Sequence, residues 1–349
     1  MATYFVRSAG GSDGNSGLSF ALGWATIQYA ADNASAAGDI VLICDDGTHL
    51  PTATVDFNTN AGAKNNPIVF RGASATGVDN GTIATISGAS LPATTDLFNL
   101  NISALAIKFE LLRITAATRV NILIGTAFNE GLAIFRDVRI DNAATDGILD
   151  SESATTKLTI FINCEIDSNG DKGLESVGVA RGGHKMLNCS IHDNTGDGIE
   201  ENIPLASPKS EYVGCLFYNN GGSGLNSITG GFPAVLIHNC IFFNNTNDGI
   251  TFNSTITYNY GLVVTNNIFR SNGGYGINTN TGILGQFAYA DYNCLSNNTS
   301  GAIDINAGVA PGSNNVTTDP TFTNETAGSE DFTLQSGSPC LDVGLGYNG

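Results

Sequence analysis

The chain has 349 residues, with 14 Lys and Arg against 32 Asp and Glu and a formal net charge of −18. So acidic a chain repels phosphate backbones and anionic bilayers, so neither nucleic acid nor a membrane is an expected partner. Hydrophobic residues make up 42% and charged residues only 13%, which excludes wholesale disorder and points to a surface of Asn, Ser, Thr and Gly rather than of ions.

The chain opens Ala2-Thr3-Tyr4-Phe5-Val6-Arg7-Ser8, without the apolar segment or small-residue cleavage site of an export signal. The expectation is synthesis in a cytoplasm without classical export. A helix is predicted next: Trp24, Ile27, Ala31 and Ala34 fall on one helical face, and Gly38-Asp39 ends it. A buried strand, Ile40–Cys44, follows, with a turn at Asp45-Asp46-Gly47. The seven Cys include no Cys-x-x-Cys pair and do not form a compact disulfide framework.

From there the chain is governed by a repeat. Cys164, Cys189, Cys215, Cys240, Asn267 and Cys294 step by 25, 26, 25, 27 and 27 residues. Asn169, Asn194, Asn220, Asn245 and Asn272 follow at a fixed offset, then Gly173, Gly198, Gly224, Gly249 and Gly276, each before a Leu or Ile. The frame extends upstream through Val138, Ile140 and Ile148 and downstream through Asn298, Gly301 and Ile303. Turn formers between Asn and Gly, flanked by short β-type runs, make each repeat two or three strands. One such unit cannot bury both its sides, so the repeats must stack as coils. Parallel strands lie about 4.8 Å apart, so equivalent residues form columns. The Asn column is predicted to pair amide to amide along the stack. The Cys column is predicted to fill one interior position, with no metal site, since Val138 and Asn267 share the column. An exposed end of such a stack would pair edge to edge, so the Trp24–Ala34 helix is predicted to plug the first coil.

The opening Tyr4-Phe5-Val6-Arg7-Ser8, Gly11 to Ser19, and Trp24-Ala25-Thr26-Ile27-Gln28 through Gly38-Asp39-Ile40-Val41 resemble the start of the pectate-lyase-like right-handed parallel β-helix superfamily, and in particular of phage β-helix proteins. Asn66-Pro67-Ile68-Val69-Phe70-Arg71-Gly72 fits the coil that follows. Asp319-Pro320-Thr321-Phe322, Asp331-Phe332-Thr333-Leu334 and Gly337 to Gly344 resemble the closing segment. The resemblance implies an all-β fold, a single right-handed solenoid with coils of about 25–27 residues and an N-terminal capping helix. As one continuous domain it comprises an initial strand and cap (1–39), the coils (40–310) and a closing segment (311–349). The superfamily hosts lyases, hydrolases, epimerases, tailspikes and plain structural proteins, so fold alone does not assign chemistry.

Acidic residues recur just after the turn Gly: Asp150, Glu175, then Glu200 and Glu201, with Asp146, Asp171, Lys172 and Asp197 beside the turn. Stacked carboxyls one or two coils apart meet the spacing of glycoside hydrolases, and they raise each other's pKa or suit Ca²⁺. Cations for an acidic sugar would come from Lys172, Arg181, His184 and Lys185, with Arg181 to His184 as a loop over the groove. The catalytic candidates are therefore Asp150, Glu175, Glu200, Lys172 and His184. No cofactor is required, Ca²⁺ being the one ion the column would suit. His192 and His238 fall at other phases and read as structural. Arg113 and Arg139 are 26 residues apart and should stack, screened by Asp137 and Asp141.

Two functions fit these residues. One is a phage virion surface protein of decoration, fibre or spike type, rigid and glycan-binding, whose partners are other virion proteins, a host surface glycan or further copies of the chain as a trimer. The other is a polysaccharide lyase or glycoside hydrolase acting on acidic polysaccharide through the carboxylate column.

Overall fold

Short runs of alternating burial become short strands, and each pairs in parallel with its counterpart in the next repeat. The computed structural model describes residues 1–57, 62–103, 105–128, 130–151, 157–177, 183–201, 210–227, 235–252, 262–279, 288–304 and 310–344. One turn is Leu158–Ile162, Glu165–Asp167 and Leu174–Ser176. The next turn, His184–Leu187, Ser190–His192 and Ile199–Glu201, lies directly on it. The first strands begin at Thr3–Arg7 and reach Ala310–Pro311. The third strands form a ten-stranded sheet from Val55–Phe57 to Gly301–Ile303. The molecule is a parallel β-solenoid with three faces.

The corner between first and second strands is one residue in the left-handed region, as at Asn188 (φ 52°) and Gly214 (φ 67°). Asn and Gly adopt that conformation at least cost, which is why Asn so often precedes the Cys of each repeat. Behind the corner, Cys164, Cys189, Cys215 and Cys240 are buried free thiols. The column continues as an amide ladder: Cys240 N donates to Asn267 Oδ1 (2.8 Å), and Asn267 Nδ2 donates to Asn293 Oδ1 (3.0 Å). Asn293, not Cys294, therefore occupies the sixth position, and Cys294 pairs with Ile268 on the second face. The last step of the repeat is one residue shorter than the sequence spacing to Cys294, and the Asn293 amide carries the ladder on through both its oxygen and its Nδ2.

At the next corner Asn169, Asn194, Asn220, Asn245, Asn272 and Asn298 form an unbroken run, each Nδ2 donating to the next Oδ1 at 2.8–3.0 Å. Every one of these donors also reaches a main-chain carbonyl, as Asn220 does at Ile191 O (3.1 Å). Inside, Ile122, Ile148, Leu174, Ile199, Leu225, Ile250 and Ile277 stack fully buried. Phe109, Phe135 and Phe161 stack at 5.2 and 5.0 Å, and Phe217, Phe242 and Phe269 at 4.7 and 4.8 Å.

The capping helix covers only Ile27–Asn33, with Thr26 as N-cap accepting from Tyr29 N. Trp24 stays extended because it bridges to Val6 and stacks on Tyr4 at 4.6 Å. At the other end, Asn315 ends the amide ladder begun at Asn267. The chain then turns back as an antiparallel pair, Phe322–Asn324 with Asp331–Leu334. Phe322 and Phe332 pack on Phe243, Phe332 also meets Tyr218, and Arg270 pairs with Glu325 and Asp319. The segment expected to close the solenoid thus lies along its second face.

Candidate functional site

On the third face one residue of each strand, the middle one in the three-residue strands, forms an outward strip. In register these are Asp56, Asn99, Leu123, Leu149, Glu175, Glu200, Asn226, Thr251 and Asn278. The strip passes from two leucines to two glutamates to amides and a hydroxyl. Aspartates at the corner brace it. Asp146 Oδ1 accepts from Lys172 N (3.1 Å), and Asp248 Oδ1 accepts from Tyr275 N (2.6 Å). Asp197 Oδ2 accepts from Asn226 Nδ2 (2.8 Å) and Asp248 Oδ2 from Asn278 Nδ2 (2.8 Å). Asn226 Oδ1 is buried without a hydrogen-bond partner.

At the centre, Lys172 Nζ stands 3.0 Å from Glu175 Oε1, 3.2 Å from Asp171 Oδ2 and 3.9 Å from Glu200 Oε2. Burial lowers the affinity of its ammonium for a proton, but hydrogen bonds to Glu175 and Asp171 outweigh that and hold it firmly charged. Glu200 behaves in the opposite way. Burial, reinforced by Glu175, Asp197 and Asp171 and opposed by Lys172, pushes its carboxyl up to about 7. Asp146 is pushed up to about 6, again by burial first, against the Lys172 N–H. The face thus holds a proton-bearing glutamate one turn from a glutamate ion-paired to lysine, and the pair can both donate a proton and offer a carboxylate.

Of the five catalytic candidates, Lys172, Glu175 and Glu200 come together on this face. Asp150 and His184 do not. Asp150 pairs in register with Ser176, and the outward counterpart of Glu175 is Leu149. Strand alternation therefore turns Asp150 into the interior, along with Glu201, which follows Ser176. His184 is no overhanging loop: it begins the strand His184–Leu187 with its side chain 1% exposed. Arg181 lies outside the described residues. Lys185 is on the outer first face, paired with Glu211 (2.9 Å).

The inward residues build a second cluster that sequence reasoning missed as a unit. Lys157 Nζ bonds to Asp150 Oδ1, and His184 Nε2 donates to Asp150 Oδ2 (2.9 Å). His184 Nδ1 donates to Glu201 Oε1 (3.1 Å), which also accepts from Ser210 Oγ (3.0 Å) and Tyr212 OH. Burial would raise the Asp150 carboxyl, but Lys157 and His184 override it and hold it down at about 2. Burial would likewise lower His184, but its two carboxylates bring it up to about 9. Thr159 Oγ1 and Ser176 Oγ, in the turn between, have no partner. Lys157 gave no signal in the sequence because it falls outside the repeat columns.

The second face carries a further group of charges. Asp141 accepts from both Arg113 (2.7 Å) and Arg139 (2.9 Å), which are in register, so one buried carboxylate screens the stacked cations. Glu165, Asp167 and His192 are the metal-compatible grouping among the described residues. Arg139 already holds Asp167 through two bonds (3.0 and 2.8 Å), and His192 is engaged by Asp193 (2.8 Å) and stacked on Tyr218.

The family model for the right handed beta helix region matches residues 121–284, so the solenoid is a right-handed parallel β-helix. A pectate lyase, Pel9A, is similar over 99% of this chain and 92% of its own, at 17% identity and a TM-score of 0.70. An alginate lyase from Paenibacillus sp. str. FPU-7 is similar over 82% of this chain and 95% of its own, at 12% identity and a TM-score of 0.51. XylC, in a complex with xylose, is similar over 92% and 87%, at 12% identity and a TM-score of 0.52. At such identities the likeness is one of fold. No curated protein sequence matches the chain.

Proposed function

We propose that the third face is a carbohydrate site and that Glu200 and Glu175 give it the chemistry of glycoside hydrolysis. The observation that carries the reading is the carboxyl pair on adjacent turns, one member holding its proton to about pH 7. Retaining glycosidases use two carboxyls about 5–5.5 Å apart, and neighbouring strands in a sheet lie about 4.8 Å apart. Glu200, as the acid, protonates the departing glycosidic oxygen. Glu175 presents the carboxylate to the sugar carbon. Asn226, next in register after Glu200, continues the polar strip beside the pair. The similar folds of a pectate lyase, an alginate lyase and a xylose-bound protein support a carbohydrate ligand.

The charge of the face favours a neutral glycan over an acidic one. Asp146, Asp171, Glu175, Asp197 and Glu200 surround a single ammonium among the described residues, that of Lys172, and a uronate would meet net repulsion there. Among the described residues every Lys and Arg except Lys64 and Arg136 already has a carboxylate partner. Cations to neutralise a sugar carboxylate, as a lyase needs, are not free among the described residues of this face.

The test is release of reducing ends from neutral polysaccharides, with uronate polymers in parallel. Turnover of a neutral glycan, lost in Glu200→Gln and Glu175→Gln while binding persists, is expected. Turnover unchanged in Glu200→Gln would overturn the assignment. One observation favours a second reading: Lys172 engages both carboxyls and ties up the pair. In that reading the face holds glycan without cutting it, on a rigid virion-type surface protein whose neighbours are other virion proteins or copies of itself. Glycan binding without turnover in the unmodified chain identifies it.

A further inference from the structure

A solenoid interior lined with Ile, Leu and Phe is a poor solvent for ions, yet Asp150 and Lys157 are buried with no exposed side-chain surface. They flank the connection between the third strand Ile148–Asp150 and the first strand of the next turn, Leu158–Ile162. The Lys157 nitrogen is in contact with Asp150 Oδ1, and His184 Nε2 sits on the other carboxyl oxygen at 2.9 Å. An amine, a carboxyl and a proton donor on that carboxyl are thus held together away from water. The strands on either side fix their positions, so reaction within the pair is effectively unimolecular.

We propose that Lys157 and Asp150 condense within the folded chain to an isopeptide bond. Against burial, Lys157 and His184 keep the resting carboxyl ionised, so proton transfer accompanies the attack. As the nitrogen approaches Cγ, the ammonium passes one proton to Asp150 Oδ1, and two buried charges become two neutral groups. The nitrogen lone pair attacks Cγ, and the electrons displaced onto Oδ2 are stabilised by the His184 N–H. Collapse breaks the Cγ–Oδ1 bond, and that oxygen leaves with the proton it received and a second from the nitrogen. One ammonium and one carboxylate become one secondary amide and one water, with no oxidant or co-reactant. Glu201 is a positioning residue: it accepts from His184 Nδ1 (3.1 Å), and Ser210 and Tyr212 hold it in turn. Ser176 follows Asp150 in register and Thr159 precedes His184. Their unpartnered hydroxyls give the released water hydrogen-bonding sites.

The decisive readout is the intact mass of the purified full-length chain under denaturing conditions. A mass one water below that of the sequence is expected, with Lys157→Met and Asp150→Ala each at full calculated mass. Cleavage after Glu152, between the two partners in sequence, should leave the fragments covalently joined. His184→Gln is expected to lower the crosslinked fraction. A wild-type chain at full sequence mass overturns the proposal, and that measurement does not depend on any variant folding. A chain still one water light in Lys157→Met also overturns it, since the loss would then belong elsewhere.

Discussion

Glu200 and Glu201 are adjacent in sequence and face opposite ways. One stands on the acidic strip with its carboxyl raised to about 7, and the other is buried against His184, Ser210 and Tyr212. Raised carboxyls have a consequence for stability whose sign is fixed. Glu200 moves from 4.5 to about 7 and Asp146 from 3.8 to about 6 on folding, so the folded state binds more protons than the unfolded one between those limits. Stability must fall as pH rises across that window. Glu200→Gln and Asp146→Asn should therefore raise the urea midpoint relative to wild type at pH 8 and lose that advantage near pH 4. As the proton donor, Glu200 should also give turnover an alkaline limb near pH 7, absent from any residual activity of Glu200→Gln. The acids were visible in the sequence, but their direction was not. A three-residue strand leaves a one-residue ambiguity in alternation, and that ambiguity decides whether Asp150 or Leu149 shares the column with Glu175.

At the scale of the element, the ladders were legible because stacking demands identical chemistry at one offset. The Asn column from Asn169 to Asn298 follows its sequence spacing throughout. Removing one rung strands its neighbours' buried amides, so Asn220→Ala should cost about 1–3 kcal/mol in chemical denaturation. Phe242 is packed between Phe217 and Phe269, and Phe242→Ala should cost about 3–5 kcal/mol. The exceptions arose where two pairings competed. Asn293 took the rung beside Cys294, where its amide both accepts from Asn267 and donates to Asn315, and Trp24 left the helix because Val6 offered it a strand partner. Nothing in a single repeat announces such competition, since both partners come from distant parts of the chain.

Over the whole molecule, the final segment changes what the solenoid exposes. Phe322 and Phe332 cover Phe243 and Tyr218, and Asn219 Nδ2 donates to Glu330 (2.7 Å), so the hairpin is fastened to the flank at several turns. Deleting residues 319–349 should uncover an aromatic patch, lower the melting temperature and produce concentration-dependent association in light scattering. The sequence identified this segment but not its destination, because two phenylalanines suit an open end as well as a side face. The hairpin covers the second face at the turns of Tyr218, Phe243 and Arg270, and the third face keeps the long strip on which the functional reading rests.

That reading is tested most directly by following the glutamate side-chain carbons of the intact chain by NMR as pH is varied. One glutamate should titrate near pH 7, and its signal should vanish in Glu200→Gln. If every glutamate titrates in the ordinary range near 4.5, the third face has no proton to donate and the proposed chemistry is contradicted.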